Sequence, residues 1–295
     1  MIGARAYASN GYSALKLEPH LHTIHSDGQD TVRAMFTACK GAGYDAVALT
    51  DHNTLSGVNE ARAIADELEL ILVPGVEVTT FHGHAIVLGV TTIPEWRDLE
   101  TRGMDSLAAE VHAQGGVVSV AHPASIGSPV CSGCSWEWPI APASVDLWEV
   151  ASAARVGTDV PIELWRQMLE RGGHIAPVAA GDVHSVNAAS APRAATYAFT
   201  RERTASGVLE ALRALRVYAS RGAALELWLE GIDGQVAIVG DRVFGETWTP
   251  HTRPANARLH SLSVGVDERC VYAELRDDQD GLEAVSAPIW MSTTH

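Results

Sequence analysis

The chain has little basic charge. Its 21 lysines and arginines stand against 36 aspartates and glutamates, so the formal net charge is −15 over 295 residues. A protein that follows the phosphates of a nucleic acid presents a basic face, and this balance argues against a nucleic-acid partner. The excess of carboxylates is compatible with a metal site and is otherwise typical of a soluble protein.

Long apolar runs are also missing. No window of the sequence approaches the roughly 20 uncharged apolar residues that a transmembrane helix needs. Residues 1–14 contain no continuous apolar segment of the kind found in export signals. We therefore expect a cytoplasmic protein with no membrane partner.

Cysteine is scarce, with four residues in the whole chain. A disulfide framework in a chain of this size would need more of them, and no second CxxC accompanies Cys131 and Cys134. We interpret this pair as a loop disulfide or two loop thiols. Half of a zinc site and a redox dithiol are the alternatives.

Several catalytic motifs are absent. The sequence contains no GxSxG elbow, no Walker-type phosphate loop and no GxGxxG after a predicted strand. Serine hydrolases, nucleoside triphosphatases and dinucleotide-binding enzymes are therefore without support as function classes.

Short apolar runs alternate with helical patterns from residue 15 to residue 220. Strands are predicted over 15–22, 45–50, 70–79, 84–90, 117–121, 145–150, 175–180, 196–200 and 217–220, and helices over 31–43, 58–68, 96–114, 161–171 and 202–215. This alternation predicts an α/β fold with a parallel sheet covered by helices. Because nearly every strand is followed by a polar residue, we expect a barrel whose site lies at the C-terminal strand ends.

The pattern changes at about residue 222. Alternating polar and apolar runs, separated by Gly, Asp and Pro, predict a small antiparallel β unit. No cluster of metal-ligand residues is found there. We divide the chain into residues 1–221, the barrel, and residues 222–295, a unit for packing or assembly.

Side chains of the metal-ligand type follow the predicted strands. They are His20 and His22 in PHLHT, Asp27 in HSDG, His52 in LTDHN, Glu77 in PGVEV, His122 in VAHPA, and Asp182 and His184 in AAGDVHS. Residues i and i+2 of a strand face the same side, so His20 and His22 present two imidazoles side by side. Since a barrel brings its strand ends to one rim, we expect all of these side chains to lie together.

The residue types indicate the chemistry. Imidazole nitrogens and carboxylate oxygens suit Zn²⁺, Mn²⁺ or Fe²⁺, and we predict two or three divalent transition metal ions as the cofactor. A carboxylate has two oxygens, so Glu77 or Asp182 can hold two cations with a hydroxide between them. Such a pair lowers the pKa of bound water toward about 7, which supplies a nucleophile without a dedicated side chain.

In their order along the chain, the motifs HLH, SDG, TDH, GVE, AHP and GDVH resemble the PHP (polymerase and histidinol phosphatase) superfamily of metal-dependent hydrolases, over about residues 15–222. The resemblance implies a distorted (β/α)7 TIM-like barrel with a polynuclear metal centre. It assigns His20, His22, Glu77 and Asp182 to a first metal, Glu77 and His122 to a second, and Asp27, His52 and His184 to a third. Glu77, Asp182 and His184 are the catalytic residues that we predict.

Three further segments, GHAIVLG, CSGCSW and RVYASRGAALEL, resemble the branch of this superfamily that includes carbaryl hydrolase. We expect hydrolysis of a small phosphate mono- or diester. The alternative is a carbamate or aryl carboxylic ester hydrolase with the same metal centre, and a non-catalytic metal-binding module is a third hypothesis. His84 is predicted as an additional ligand, with a histidine that binds no metal as the alternative.

The predicted partner is a small-molecule ester, and three residues are predicted to contact it. Arg155 follows the strand predicted over 145–150, and Arg193 lies in the loop after GDVHS. At the rim of a barrel a guanidinium can bind phosphate oxygens. Trp136 lies in the long loop 124–142 and can stack on an aromatic leaving group. Ordinary surface arginines and a tryptophan that packs the loop are the alternatives. The sequence does not predict the oligomeric state.

Overall fold

The structure, a computed structural model, describes residues 7–8, 10–131, 133–152, 159–190, 194–245 and 247–292. In these ranges the α-helices are Val32–Gly41, Val58–Glu67, Leu99–Arg102, Met104–Ala113, Val160–Glu170, Val186–Ser190 and Ala205–Arg213. The strands are β1 Ser13–Glu18, β2 Ala46–Leu49, β3 Ile71–Thr80, β4 Gly83–Leu88, β5 Val117–Val120, β6 Leu147–Ser152, β7 Ala176–Ala180, β8 Ala195–Thr200, β9 Val217–Ser220, β10 Glu226–Gly231, β11 Val236–Ile238, β12 Arg242–Phe244, β13 Trp248–Arg253, β14 Arg258–Val264, β15 Glu268–Arg276, β16 Leu282–Ser286 and β17 Ile289–Ser292.

The large sheet is mixed, with the order β12-β17-β15-β16-β9-β8-β1-β2-β3-β4-β5-β6-β7, and β14 pairs with β15. β1, β2 and β3 are parallel, as are β5, β6 and β7. The prediction of a purely parallel sheet is wrong for β4, β8 and β9, which pair antiparallel. β3 and β4 are joined by residues 81–82 alone, and a connection this short permits only a hairpin.

No ladder of hydrogen bonds joins β7 to β1 within the described ranges. The segments that follow the two strands instead meet at a single parallel bridge between Leu21 and Val183. The backbone N–H of His22 donates to the Val183 carbonyl at 2.8 Å, and the Val183 N–H donates to the His20 carbonyl at 3.1 Å. The first and last parallel strands therefore meet beside the predicted ligand residues.

Two predicted elements have different ends. β1 ends at Glu18, so His20 and His22 follow the strand and do not belong to it. The predicted helix over 96–114 is two helices, which are separated by Gly103 with φ +77°. Its ψ of 163° places Gly103 in a region that residues with a side chain avoid.

The C-terminal strands extend the large sheet. β16 pairs with β9, where Ala284 lies opposite Ser220, while β10, β11 and β13 form a separate three-stranded sheet. The ring of Tyr272 on β15 packs at 5.0 Å from that of Trp165 in helix Val160–Glu170. The boundary at residue 222 stays a prediction.

Apolar strand residues form the core of the sheet and its helices. Leu15 and Leu17 of β1 are fully buried, and a second cluster under helices Val32–Gly41 and Val58–Glu67 includes Phe36. In the described part of the chain, no helix has the length and apolar character to cross a membrane. This frame holds the ends of β1, β2, β3, β5 and β7 at one place.

Candidate metal centre

The structure brings all nine predicted metal ligands together. They are His20, His22 and Asp27 after β1, His52 after β2, Glu77 in β3, His84 in β4, His122 after β5, and Asp182 and His184 after β7. Three groups among them have donor atoms close enough to share an ion, and the smallest of these groups consists of His52, Glu77 and His84. The whole set lies at one end of the parallel strands, as expected for an α/β fold.

Glu77 is the centre of this arrangement and is 1% exposed. Its Oε2 lies 3.1 Å from a ring nitrogen of each of three histidines, which are His20, His22 and His52. Its Oε1 lies 2.8 Å from Nδ1 of His84 and 3.1 Å from Nε2 of His122. The two oxygens of this carboxylate thus face two different sets of imidazoles.

The first group consists of His20, His22, Glu77 and Asp182. Asp182 Oδ1 lies 3.3 Å from Nε2 of both His20 and His22. Ligand bonds of about 2.0–2.1 Å in a tetrahedral site place donor atoms about 3.3 Å apart. The spacing of these donors therefore suits a single transition metal ion.

A second group lies on the more exposed side and includes Asp27, His52 and His184. Asp27 Oδ1 is 3.2 Å from Nε2 of His184, and Asp27 Oδ2 is 3.4 Å from Nε2 of His52. His22 also faces Asp27 through Nδ1, but at 3.8 Å. Asp27 is 55% exposed, so solvent reaches this end of the centre.

Some buried ring nitrogens of the predicted ligands make no hydrogen bond, which bears on whether these residues fit a metal ion. Both ring nitrogens of His22 and Nε2 of His84 are buried and make no hydrogen bond, although His22 Nε2 lies 3.1 Å from Glu77 Oε2. Buried polar atoms nearly always have a partner, and one that lacks it carries a desolvation penalty. A divalent cation held with Glu77 and Asp182 would satisfy Nε2 of His22. A mixed imidazole and carboxylate donor set is one that Zn²⁺, Mn²⁺ and Fe²⁺ accept.

The electrostatics of the centre favour positive charge. Burial alone would lower the pKa of His22 and of His122. Nearby carboxylates outweigh burial and raise each pKa to about 9. The carboxylates are Asp182 and Glu77 beside His22, and Glu77 and Glu149 beside His122. Burial raises the pKa of Glu77, yet His20, His122 and His22 hold it well below its usual range. Without a metal, protons on the rings balance the buried carboxylates, so the cavity is built to hold cations.

Glu149 on β6 supports two of the ligands, and the sequence analysis did not identify it. It is 3% exposed. Its Oε1 lies 2.9 Å from Nδ1 of His20, and its Oε2 accepts the backbone N–H of His122 at 2.6 Å. A carboxylate inside the apolar strand LWEVAS was the signal that could have revealed it.

Glu18 is a second supporting carboxylate that the sequence analysis missed. It is fully buried and accepts the backbone N–H of His20 at 3.1 Å and that of Gly181 at 2.8 Å. Burial raises its pKa to about 7. These two bonds tie the residue before Asp182 to the end of β1.

Two of the predicted ligand residues have backbone angles that side chains disfavour. His122 has φ +28° and Asp182 has φ +47°. Such conformations persist where the surroundings fix them, and they concentrate at functional sites. The bond from the His122 N–H to Glu149 is one contact that fixes this backbone.

The predicted substrate contacts have a different outcome. Arg155 and Arg193 lie outside the described residues. Trp136 is half-buried, and its ring packs over Gly83, next to His84, where an added Cβ would lie 2.7 Å from the ring. Cys131 and Cys134 of the same loop form a disulfide, and the Cys134 carbonyl lies 3.0 Å from Nδ1 of His122. The role of Trp136 toward a substrate stays a prediction.

Residues 18–119 of the chain match the PHP domain family. An uncharacterised protein of Methanocaldococcus jannaschii is 29% identical over 129 residues, which are 40% of this chain and 71% of that protein. Phosphoribosyl 1,2-cyclic phosphate 1,2-diphosphodiesterase of Eggerthella lenta is 32% identical over 62 residues, which are 21% of this chain and 24% of that enzyme. The match supports the predicted resemblance to PHP proteins over residues 18–119.

The fold is also similar to that of a solved structure from Bacteroides vulgatus, a two-domain protein described as containing a predicted PHP-like metal-dependent phosphoesterase. The TM-score is 0.58 at 19% sequence identity, with 91% of this chain and 78% of that chain covered. At this identity the similarity shows a shared mixed α/β fold.

Proposed function

We propose that this protein is a metal-dependent phosphoesterase that hydrolyses a small phosphate mono- or diester. The observation that carries the proposal is the position of Glu77, whose Oε2 faces three imidazoles and whose Oε1 faces two others. A carboxylate placed in this way can join two cations. The PHP domain match and the diesterase activity named for the E. lenta relative support a metal-dependent hydrolase that acts on phosphate esters.

The tautomers of the histidines indicate how the ligands are shared. A neutral imidazole has one nitrogen with a free lone pair, so each ring supplies one ligand atom. His22 Nε2 belongs with His20, Glu77 and Asp182, which leaves Nδ1 as an N–H toward Asp27. The exposed group then consists of Asp27, His52 and His184, and a third set is formed by Glu77, His84 and His122. We therefore propose two or three divalent ions per chain, with Zn²⁺, Mn²⁺ or Fe²⁺ as candidates.

Divalent cations held by these residues would acidify a bound water and polarise the ester. The protein contributes position and charge. His22 and His20 lower the pKa of Asp182 against the effect of burial, so this carboxylate is ionised at neutral pH. With its side chain 28% exposed, Asp182 can accept a hydrogen bond from a reactant. Glu77, Asp182 and His184 remain the proposed catalytic residues.

We also propose four further properties of this protein. They are a closed (β/α)7 barrel, membership of the branch that includes carbaryl hydrolase, cytoplasmic location, and a small-molecule partner. Hydrolysis of a carbamate or aryl carboxylic ester is the second candidate function. Aromatic side chains next to the metal centre favour it, since Phe81, Trp96 and Trp138 line one cavity.

The test compares three substrates, which are p-nitrophenyl phosphate, bis-p-nitrophenyl phosphate and a naphthyl carbamate, before and after chelation and after metal is restored. We expect chelator-sensitive turnover of a phosphate ester. Asp182→Asn should lose it, while Asp233→Asn, which changes an exposed aspartate of the C-terminal region, should retain it. Turnover of the carbamate alone would favour the second candidate. Unchanged rates in Asp182→Asn would remove the cluster from the mechanism.

A further inference from the structure

A cavity of about 500 Å³ lies beside the metal centre. Its apolar wall contains Phe81, Trp96, Leu99 and Trp138. The Nε1 of Trp138 donates to Thr80 Oγ1 at 2.8 Å, which fixes the orientation of this indole. We call this cavity the aromatic pocket, and its volume lies within the range of about 300–1,000 Å³ that small-molecule sites have.

Phe81 has no evident packing role. It stands at the tip of the hairpin between β3 and β4 and is 77% exposed. An exposed aromatic residue that lines a cavity together with two tryptophans is a feature of ligand sites, because planar groups stack on such side chains. The fold itself does not require a phenylalanine at this position.

The charged side chains of the aromatic pocket are already paired. Arg97 binds Glu95 through Nε at 2.9 Å and through Nη2 at 2.6 Å. His82 Nε2 lies 3.8 Å from Glu100 Oε1. No unpaired cation of the described lining is therefore offered to a second phosphate or a carboxylate. The pocket suits an uncharged planar group.

Two residues that line the aromatic pocket also adjoin the predicted metal ligands. Thr79 and Asn53 line it, and each is bonded to the other through the Asn53 side chain. Asn53 follows His52, and Thr79 Oγ1 contacts Nδ1 of that histidine. Thr79 is two residues after Glu77 on β3, so both face the same side about 6–7 Å apart along the strand. A group that occupies the pocket is therefore a few bonds away from an ester held at the centre.

We propose that the aromatic pocket binds the aromatic group of an aryl ester whose scissile bond lies at the metal centre. This inference rests on the proposed function and names its substrate class. Hydrolysis of an aryl phosphate consumes one water, breaks the bond between phosphorus and the aryl oxygen, and releases a phenol that carries one proton of that water. A sugar phosphate would leave the apolar wall without a partner.

Binding without turnover tests the proposal. Phenylphosphonate and methylphosphonate share the anionic group and differ in the ring, and neither has an ester bond. We expect calorimetry on the metal-loaded protein to show that phenylphosphonate binds more tightly. Phe81→Ala should weaken phenylphosphonate binding about 3- to 10-fold, the effect of one aromatic contact, with methylphosphonate unchanged. Phe244→Ala is the matched control, since Phe244 is 41% exposed and lies on β12.

The outcomes separate this inference from the proposed function. A preference for the phenyl compound that Phe81→Ala removes would support the pocket even if no ester were hydrolysed, and the proposed function would then fail alone. Equal binding of the two phosphonates, or the same loss in Phe244→Ala, would overturn the pocket. Tighter binding of a nucleoside monophosphate than of phenylphosphonate, dependent on Phe81, would replace the aryl group with a nucleobase.

Discussion

The substitution Glu149→Gln tests how the metal ligands are held in place. Glu149 accepts two hydrogen bonds, from the His20 ring through Oε1 and from the His122 backbone through Oε2. With Nδ1 of His20 protonated toward Glu149, its Nε2 is free to bind a metal. A glutamine has one carbonyl oxygen and one NH₂ group, so it accepts only one of these two bonds. Its NH₂ then faces an N–H donor in a buried space.

The expected size of this effect follows from the bonds. Loss of a hydrogen bond to a charged group costs about 1.5–3 kcal/mol. Loss of a group that orients a metal-bound histidine lowers metal affinity about 10- to 100-fold, which is about 1.4–2.7 kcal/mol and agrees with the first figure. If the glutamine NH₂ faces the backbone N–H of His122, we expect the loss of metal affinity to be near 100-fold, because the backbone of His122 is strained.

Competition with a chromogenic chelator measures the metal dissociation constants of Glu149→Gln and of the unaltered protein. Glu210→Gln is the control, because Glu210 is 66% exposed in helix Ala205–Arg213. Circular dichroism establishes that each variant is folded. Metal affinity of folded Glu149→Gln within about twofold of the unaltered protein, against the 10-fold minimum expected, would refute this role of Glu149.

Two other predictions follow from the pKa values and from the backbone. Metal binding displaces protons from His22 and His122, whose pKa values are about 9, so affinity should rise by up to about tenfold per pH unit for each ring until pH 9. Both pKa values exceed the ordinary 6.5, so protonation of these rings stabilises the metal-free fold. This contribution to the free energy of unfolding is fully present below pH 6.5 and is lost as the pH rises through 9. Calorimetry in buffers of different ionisation heat counts the released protons, and zero release would contradict the assignment. Gly103→Ala should lower the free energy of unfolding by about 1–3 kcal/mol because of its backbone angles. Gly41→Ala should not lower the free energy of unfolding, because Gly41 lies at a helix end with ordinary backbone angles and open space around it. Urea unfolding measures the free energy of unfolding of both variants.

The candidate ligands were readable from the sequence because they stand in or directly after apolar strands. His20, His52, Glu77 and His122 come from separate motifs, and the parallel strands carry them to one end of the sheet. The ligand type and its place after an apolar run are local properties. Residue order alone therefore predicted which side chains would meet.

Other features depend on contacts that the local sequence does not encode. Glu149 reads as a single charge in an apolar strand, and its role appears only when β5 and β6 are adjacent. The pairing of β16 with β9 joins residues more than sixty positions apart, and antiparallel edges of this kind have no sequence signature. The aromatic pocket likewise combines the β3–β4 hairpin with residues before helix Leu99–Arg102 and with the loop that bears Trp138.

The most direct measurement is anomalous diffraction from crystals of the protein loaded with Zn²⁺ or Mn²⁺. We expect two peaks about 3.5–4 Å apart, one beside Oε2 of Glu77 among His20, His22 and Asp182, and the other beside Oε1 near His84 and His122. A third peak between Asp27 and His184 would complete the proposed set. A single ion, or ions that leave Glu77 uncoordinated, would contradict the proposal that Glu77 joins two cations.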